Sequence, residues 1–284
     1  MSQRHNQAYR CFPTPQQPAA VFPLSASPHL YHPLQRWQQQ YGAEITSYSD
    51  TLQHTLCGLL PLLLCGEQSA QLVFNTEVSR LCCEPKAGFV AEHIVAPGGD
   101  SVATGQLTAS HCSSHRGIAS ADKHSQRAGA VLQSVEADEW HHDQALQFVL
   151  SQLAAERDNR RVQQQSRRFF TSLSRVDSLA MQFVRIAVLD TCVTRIMQGV
   201  ELGRLGRQHS FAQLCGLIRR DESRHVYVAR EHARALGAKR DDFAAEADLV
   251  LKRLQNLLSL RQHEFEWLGV DLDRLCAGLE DKWR

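Results

Sequence analysis

The chain has 284 residues and a mass of 32.0 kDa, with 43% hydrophobic residues, 21% charged residues and a mean hydropathy of -0.33. That is apolar material for one large core or two modest ones, and it disfavours a disordered or membrane-embedded protein. Lys and Arg number 31 against 30 Asp and Glu, a formal net charge of +1, so no global field draws the whole molecule onto nucleic acid or anionic lipid.

In chain order, residues 1 to about 40 read as a flexible arm, because Pro13, Pro15, Pro18, Pro23, Pro28 and Pro33 lie among Gln and Ser. The arm lacks the charged-then-apolar order of a signal peptide, and the longest apolar run, 56 to 65, is too short to span a bilayer. The expectation is a cytoplasmic protein with neither a membrane nor a nucleic-acid partner. The remainder, 41 to 284, reads as one helical domain. Apolar spacing predicts a helix over 56 to 81, with Pro61 acceptable in a first turn. Residues 82 to 121 are rich in Gly and Pro and read as a long insertion, with a hairpin around Pro97-Gly98-Gly99-Asp100 and a lid as its role. Helices are then predicted over 122 to 155, 176 to 206 and 210 to 237, the last capped by Ser210, followed by two more over 241 to 264 and 271 to 281. The Arg/Gln-rich run at 157 to 168 reads as a solvated helix face. The 9 cysteines form no C-x-x-C pair, which points to free or buried thiols rather than a disulfide framework.

Four of these helices carry an apolar stripe broken by ligand-type residues. The second reads Leu132, Val135, Glu139, His142, Leu146, Val149, Leu153, and the fourth reads Phe211, Leu214, Ile218, Glu222, His225, Ala229, His232, Leu236. The first, Leu60, Leu63, Glu67, Ala70, Phe74, Val78, holds one carboxylate, as does the third, Leu179, Phe183, Ile186, Asp190, Val193, Met197. An ionised carboxylate in an apolar stripe is costly unless it is paired, protonated or bound to metal, so four helices share one electrostatic problem. A shared centre answers it: one carboxylate from each of two helices and Glu-x-x-His from each of the other two, all projecting into a bundle core. Glu77 and Glu201 are the rivals of Glu67 and Asp190; both lie at the edge of their stripe.

Both motifs extend to Asp-Glu-x-x-His, as Asp138-Glu139-Trp140-His141-His142 and Asp221-Glu222-Ser223-Arg224-His225. A lone Glu-x-x-His is expected about once by chance in such a chain, whereas the doubled five-residue motif has odds on the order of one in a thousand. Asp138 and Asp221 are placed to accept the second ring N–H of the opposite motif's histidine. His141 points off the stripe and reads as a surface neighbour, and His232 reads equally as a residue around the centre or lining a channel and as a satisfied core histidine.

These residues resemble the ferritin-like di-iron carboxylate superfamily over residues 56 to 237, and Glu67-x-x-Ala70-x-x-x-Phe74 resembles its first metal helix. The resemblance implies an all-α, ferritin-like four-helix bundle with metal ligands Glu67, Glu139, His142, Asp190, Glu222 and His225. It implies two Fe ions, or an Mn/Fe pair, activating O2 as co-substrate, and oxidation of a small organic substrate by C–H hydroxylation, desaturation or N-oxygenation. Electrons then come from a ferredoxin or flavin reductase, because the chain has no cofactor fingerprint of its own; homodimers are common in the superfamily. The N-oxygenase type has a third histidine where this chain has Ile218, and a radical-generating reductase subunit needs a tyrosine one turn from the metal, where none stands. The other function open at this point is a ferritin-like iron-binding protein or ferroxidase with no organic substrate.

Overall fold

Residues 9–13, 18, 32–83, 115–154 and 158–283 are described in the computed structural model, and among them the only regular structure is helical. The longest apolar stretch becomes α2 (Asp50–Cys83), which begins six residues earlier than the periodicity predicts. Pro61 therefore lies inside the helix rather than in its first turn. A proline there leaves the carbonyl four residues back without its helical donor, and the amide of Asn159 donates to that oxygen, on Cys57, at 3.0 Å. Asn159 is in turn held by Arg261, whose guanidinium donates to its Oδ1 at 2.8 Å. By length and composition α2 could cross a membrane, but 67% of its most apolar window is buried inside the protein, as in a core helix.

α2 is preceded by α1 (Pro33–Tyr41) and a 3-10 turn, Gly42–Ser47. It pairs with α3 (His115–Gln152). Contacts run Gln53 to Ala154, Gln68 to Asp143 and Asn75 to Glu136, so the two are antiparallel. The predicted insertion is shortened from both sides by these helices; its hairpin and lid, within 84 to 114, lie outside the described residues. The Arg/Gln-rich run becomes α4 (Arg160–Leu173), which buries Val162, Ser166, Phe169 and Leu173 against α2 and α7. α5 (Leu179–Leu202) is capped by Ser178, whose hydroxyl accepts from the Met181 amide at 3.3 Å. It packs antiparallel to α6 (Ser210–Ala235), with Glu201 against Arg219 at one end of the pair. The cap of α6 is His209 rather than the expected Ser210: its Nδ1 accepts from Phe211 at 3.1 Å, and the Ser210 hydroxyl instead meets Tyr48 Oη at 2.7 Å. Gly237, at φ +101, supplies the left-handed residue that stops α6.

α7 (Arg240–Leu258) covers α5, and where one helix is predicted over 241 to 264 the chain instead turns through Ser259–Arg261 into α8 (Gln262–Leu268) and then α9 (Leu272–Trp283). The core runs between the α2–α3 and α5–α6 pairs, with Phe74, Leu132, Phe183 and Phe211 fully enclosed.

The arm is partly anchored. Cys11 forms a disulfide with Cys65 of α2, which corrects the expectation of free thiols. The backbone around it is gripped by amides: Gln68 accepts from the Cys11 amide at 2.8 Å and donates to the Tyr9 carbonyl at 2.9 Å, and Arg10 pairs with Asp143 at 2.7 Å.

Candidate metal centre

α2, α3, α5 and α6 each turn their interrupted stripe inward, and Glu67, Glu139, His142, Asp190, Glu222 and His225 are all buried, none more than 5% exposed. Glu67, Glu139, His142 and Glu222 each offer one atom within 4.8 Å of all the others, a group able to hold a metal ion. His142 Nδ1 lies 3.0 Å from Glu67 Oε2 and 3.3 Å from Glu222 Oε1. His225 Nδ1 lies 3.1 Å from Glu139 Oε1 and 3.8 Å from Glu222 Oε1. Asp190 joins Glu67, Glu139 and Glu222 at the inner end of a cavity.

The other ring nitrogens cross over. His142 Nε2, from the first motif, meets Asp221 of the second at 3.4 Å, and His225 Nε2 meets Asp138 of the first at 3.1 Å. A carboxylate at Nε2 keeps the proton there and leaves the Nδ1 lone pair facing inward, the tautomer a metal ligand requires. Asp138 also receives Arg224 and, at 3.4 Å, His32 Nε2.

Several polar atoms in the centre lack an aligned hydrogen bond although they are shut off from water: both oxygens of Glu139, Oδ2 of Asp190 and Nδ1 of His225. His225 Nδ1 is close to Glu139, but the angles do not make a hydrogen bond. Buried orphans of this kind are rare and costly, and here they belong to three residues of one buried cluster, two of which, Glu139 and Asp190, line the same cavity. Their acidities follow. Burial, reinforced by Glu222 and Glu67, pushes Glu139 well above the usual carboxylate range. Burial with Glu222 and Glu139 nearby does the same to Asp190, and burial also raises Glu222. Burial pulls the His142 ring down, yet Glu67 and the contacts to Asp221 and Glu222 outweigh it and hold the imidazole well above its ordinary value. Asp138 goes the other way: burial works upward, but hydrogen bonds from His225 and His32 and the Arg224 charge hold it far below the usual range. The centre therefore keeps protons where a cation would otherwise sit, while the surrounding carboxylate stays ionised.

The rivals lie elsewhere. Glu77 pairs with Arg80 and with His232 Nε2, both at 2.7 Å, which also takes His232 away from the centre and onto the edge of Phe183. Glu201 is occupied by Arg219 at 2.6 Å. His141 is not at the surface: it is buried and stacked on His32, with ring centroids 4.1 Å apart. No local pattern marks His32, which reaches this stack from the arm; Arg224 stands inside the second motif, yet nothing in the stripe singles it out.

A cavity of about 90 Å³ opens onto the carboxylates from between α2, α4, α5 and α7. Its walls are Leu62, Leu63, Val73, Ile186, Val193 and Leu257, with Phe170 of α4 across from Gly66.

Fold and site together define a helical protein with a buried Glu/His cluster able to hold a metal, an arrangement compatible with a di-iron helical fold. No known family, curated protein or solved structure matches this chain.

Proposed function

We propose that the chain is an O2-activating, non-haem di-iron oxidase or oxygenase built on a ferritin-like four-helix bundle and acting on a small organic substrate. The observation that carries the reading is the buried cluster of four carboxylates and two imidazoles, in which Glu139, Asp190 and His225 keep unpartnered atoms and the four carboxylates line an apolar cavity. Glu67, Glu139 and His142 would hold one ion from one helix pair, Asp190, Glu222 and His225 the other, with Glu139 and Glu222 central enough to reach both. Two Fe ions, or an Mn/Fe pair, supply the capacity to reduce O2 and oxidise a C–H or N–H group.

The protein's own contribution is positional. Asp138 and Asp221 fix the two imidazoles, the apolar walls exclude water from the reacting end, and the carboxylates release their protons as cations arrive. Electrons come from an external donor, a ferredoxin or flavin reductase.

The test is anaerobic reconstitution with Fe(II), wild type beside Glu222→Ala, followed by an O2 pulse. About two irons per chain in the wild type, lost in the variant, with O2 consumption that is independent of further Fe(II), supports the reading. Continuous turnover of Fe(II) with ferric product accumulating makes the protein a ferroxidase, and no stoichiometric iron leaves the cluster as a buried polar network.

A further inference from the structure

We infer that the molecule admitted to the cavity is small, uncharged and apolar, a short alkyl group or its equivalent, and that carboxylates and ammonium ions of the same size are excluded; the ligand class rests on the cavity lining, the reaction on the proposed oxidase. Apart from the buried carboxylates and the thiol of Cys192, the walls away from solvent are hydrocarbon. The polar side chains nearer solvent, Ser69, Ser174 and Gln182, are all neutral. Among the described residues one cation lines the space, Arg185, and it is committed. Its Nε donates to Glu246 at 2.6 Å, and its Nη1 donates to the carbonyls of Leu173 at 3.0 Å and Arg175 at 3.4 Å.

A charged ligand therefore meets no free counterion along the walls. At the inner end four ionised carboxylates would balance two divalent cations, so the loaded centre would offer no net charge to pair with either. A buried ion without a partner or water is strongly disfavoured, whereas a hydrocarbon group trades water for Ile186, Val193 and Leu257 and gains by it. Size sets the other limit: about 90 Å³ is smaller than the roughly 150 Å³ apolar cavity that accepts benzene, so a chain of three or four carbons fits better than a ring.

Three isosteres test this in the full chain loaded anaerobically with Fe(II): trifluoropropanol, trifluoropropanoate and trifluoropropylammonium, titrated at neutral pH and followed by fluorine NMR. The alcohol is expected to bind saturably, with a Kd at least about tenfold below that of either ion. Filling the cavity by Ala70→Phe or by Val193→Phe raises that Kd at least about tenfold; two variants are used so that one with unchanged helical circular dichroism can be read. Equal binding of an ion, no saturable binding of the alcohol, or binding that survives both fillings overturns the inference. Iron content and relaxation of the bound fluorine by Fe(II) separate the two levels. Selective binding of the alcohol by a chain that takes up no iron sinks the oxidase and keeps the ligand class; iron uptake without selectivity sinks the ligand class alone.

Discussion

Asp138→Asn keeps the shape of the side chain and removes the charge that orients His225. In the wild type His225 Nε2 faces Asp138 Oδ2 at 3.1 Å and its Nδ1 faces Glu139 at 3.1 Å. With a neutral amide in that place the imidazole is a weaker base and its inward tautomer loses its electrostatic preference. Loss of such a partner costs about 10- to 100-fold in metal affinity, or about 1.4 to 2.7 kcal/mol. Asp138 also binds Arg224, whose side chain is 50% exposed, and a pair with so much solvent around it contributes only about 0–1 kcal/mol. Arg224→Gln therefore isolates the lesser part. The mirror change, Asp221→Asn, is expected to cost less than Asp138→Asn, because its contact to His142 is longer at 3.4 Å and the carboxylate is 22% exposed against 9% for Asp138. The assay is an anaerobic Co(II) titration against a competing chelator, read in the visible band of the bound ion. A loss below about threefold for Asp138→Asn, or one no larger than that of Arg224→Gln, refutes the reasoning.

Two further outcomes follow from features away from the ligands' geometry. Glu139, Asp190 and Glu222 have folded-state acidities above their ordinary values of 4.5, 3.8 and 4.5, and His142 lies above 6.5. The folded, metal-free chain thus binds more protons than the unfolded one from about pH 4.5 upward to those raised values, and its stability falls as pH rises through that window. Asp138, held low, is ionised throughout and adds no slope there. A metal-free Tm that drops between pH 5 and pH 8, while the loaded protein holds or gains, is the expected record by circular dichroism; a metal-free Tm that rises refutes it. The Cys11–Cys65 bridge closes a sequence separation of 54 residues, for which chain entropy gives about 4 kcal/mol. Cys11→Ser should accordingly lower stability by about 2–4 kcal/mol in denaturant titration under non-reducing conditions, and no difference between wild type and variant there refutes the bridge.

The four helices of the buried cluster were legible because a carboxylate in an apolar stripe is a contradiction that the sequence itself exposes. Glu139 and Glu222 break periodic runs of Leu and Val, and the Asp before each made even the crossed partners readable. What stayed hidden depends on contacts between segments far apart in sequence. Asn159 sits in the run that reads as a solvated helix face, and only the folded chain brings it to the carbonyl that Pro61 leaves open. The run that forms α4 reads as a solvated helix face, and its buried side hid for a related reason: its apolar residues are few and its arginines many, so composition masked the narrow stripe of Val162, Phe169 and Leu173. Cys11 and Cys65 carry no spacing signature, since their pairing comes from the arm lying along α2. His141 was misplaced because helical periodicity describes one face, while α1 and His32 cover a second.

The crossed aspartates have a consequence for how the protein comes together. Each helix pair carries its own two carboxylates and its own histidine, yet the group that aligns that histidine belongs to the other pair. Neither half can present a finished ligand set before the two have docked, so metal uptake becomes a readout of assembly rather than of helix formation. Damage anywhere along the α3–α6 seam should surface first as a lost ion, in a protein whose helices are all still in place.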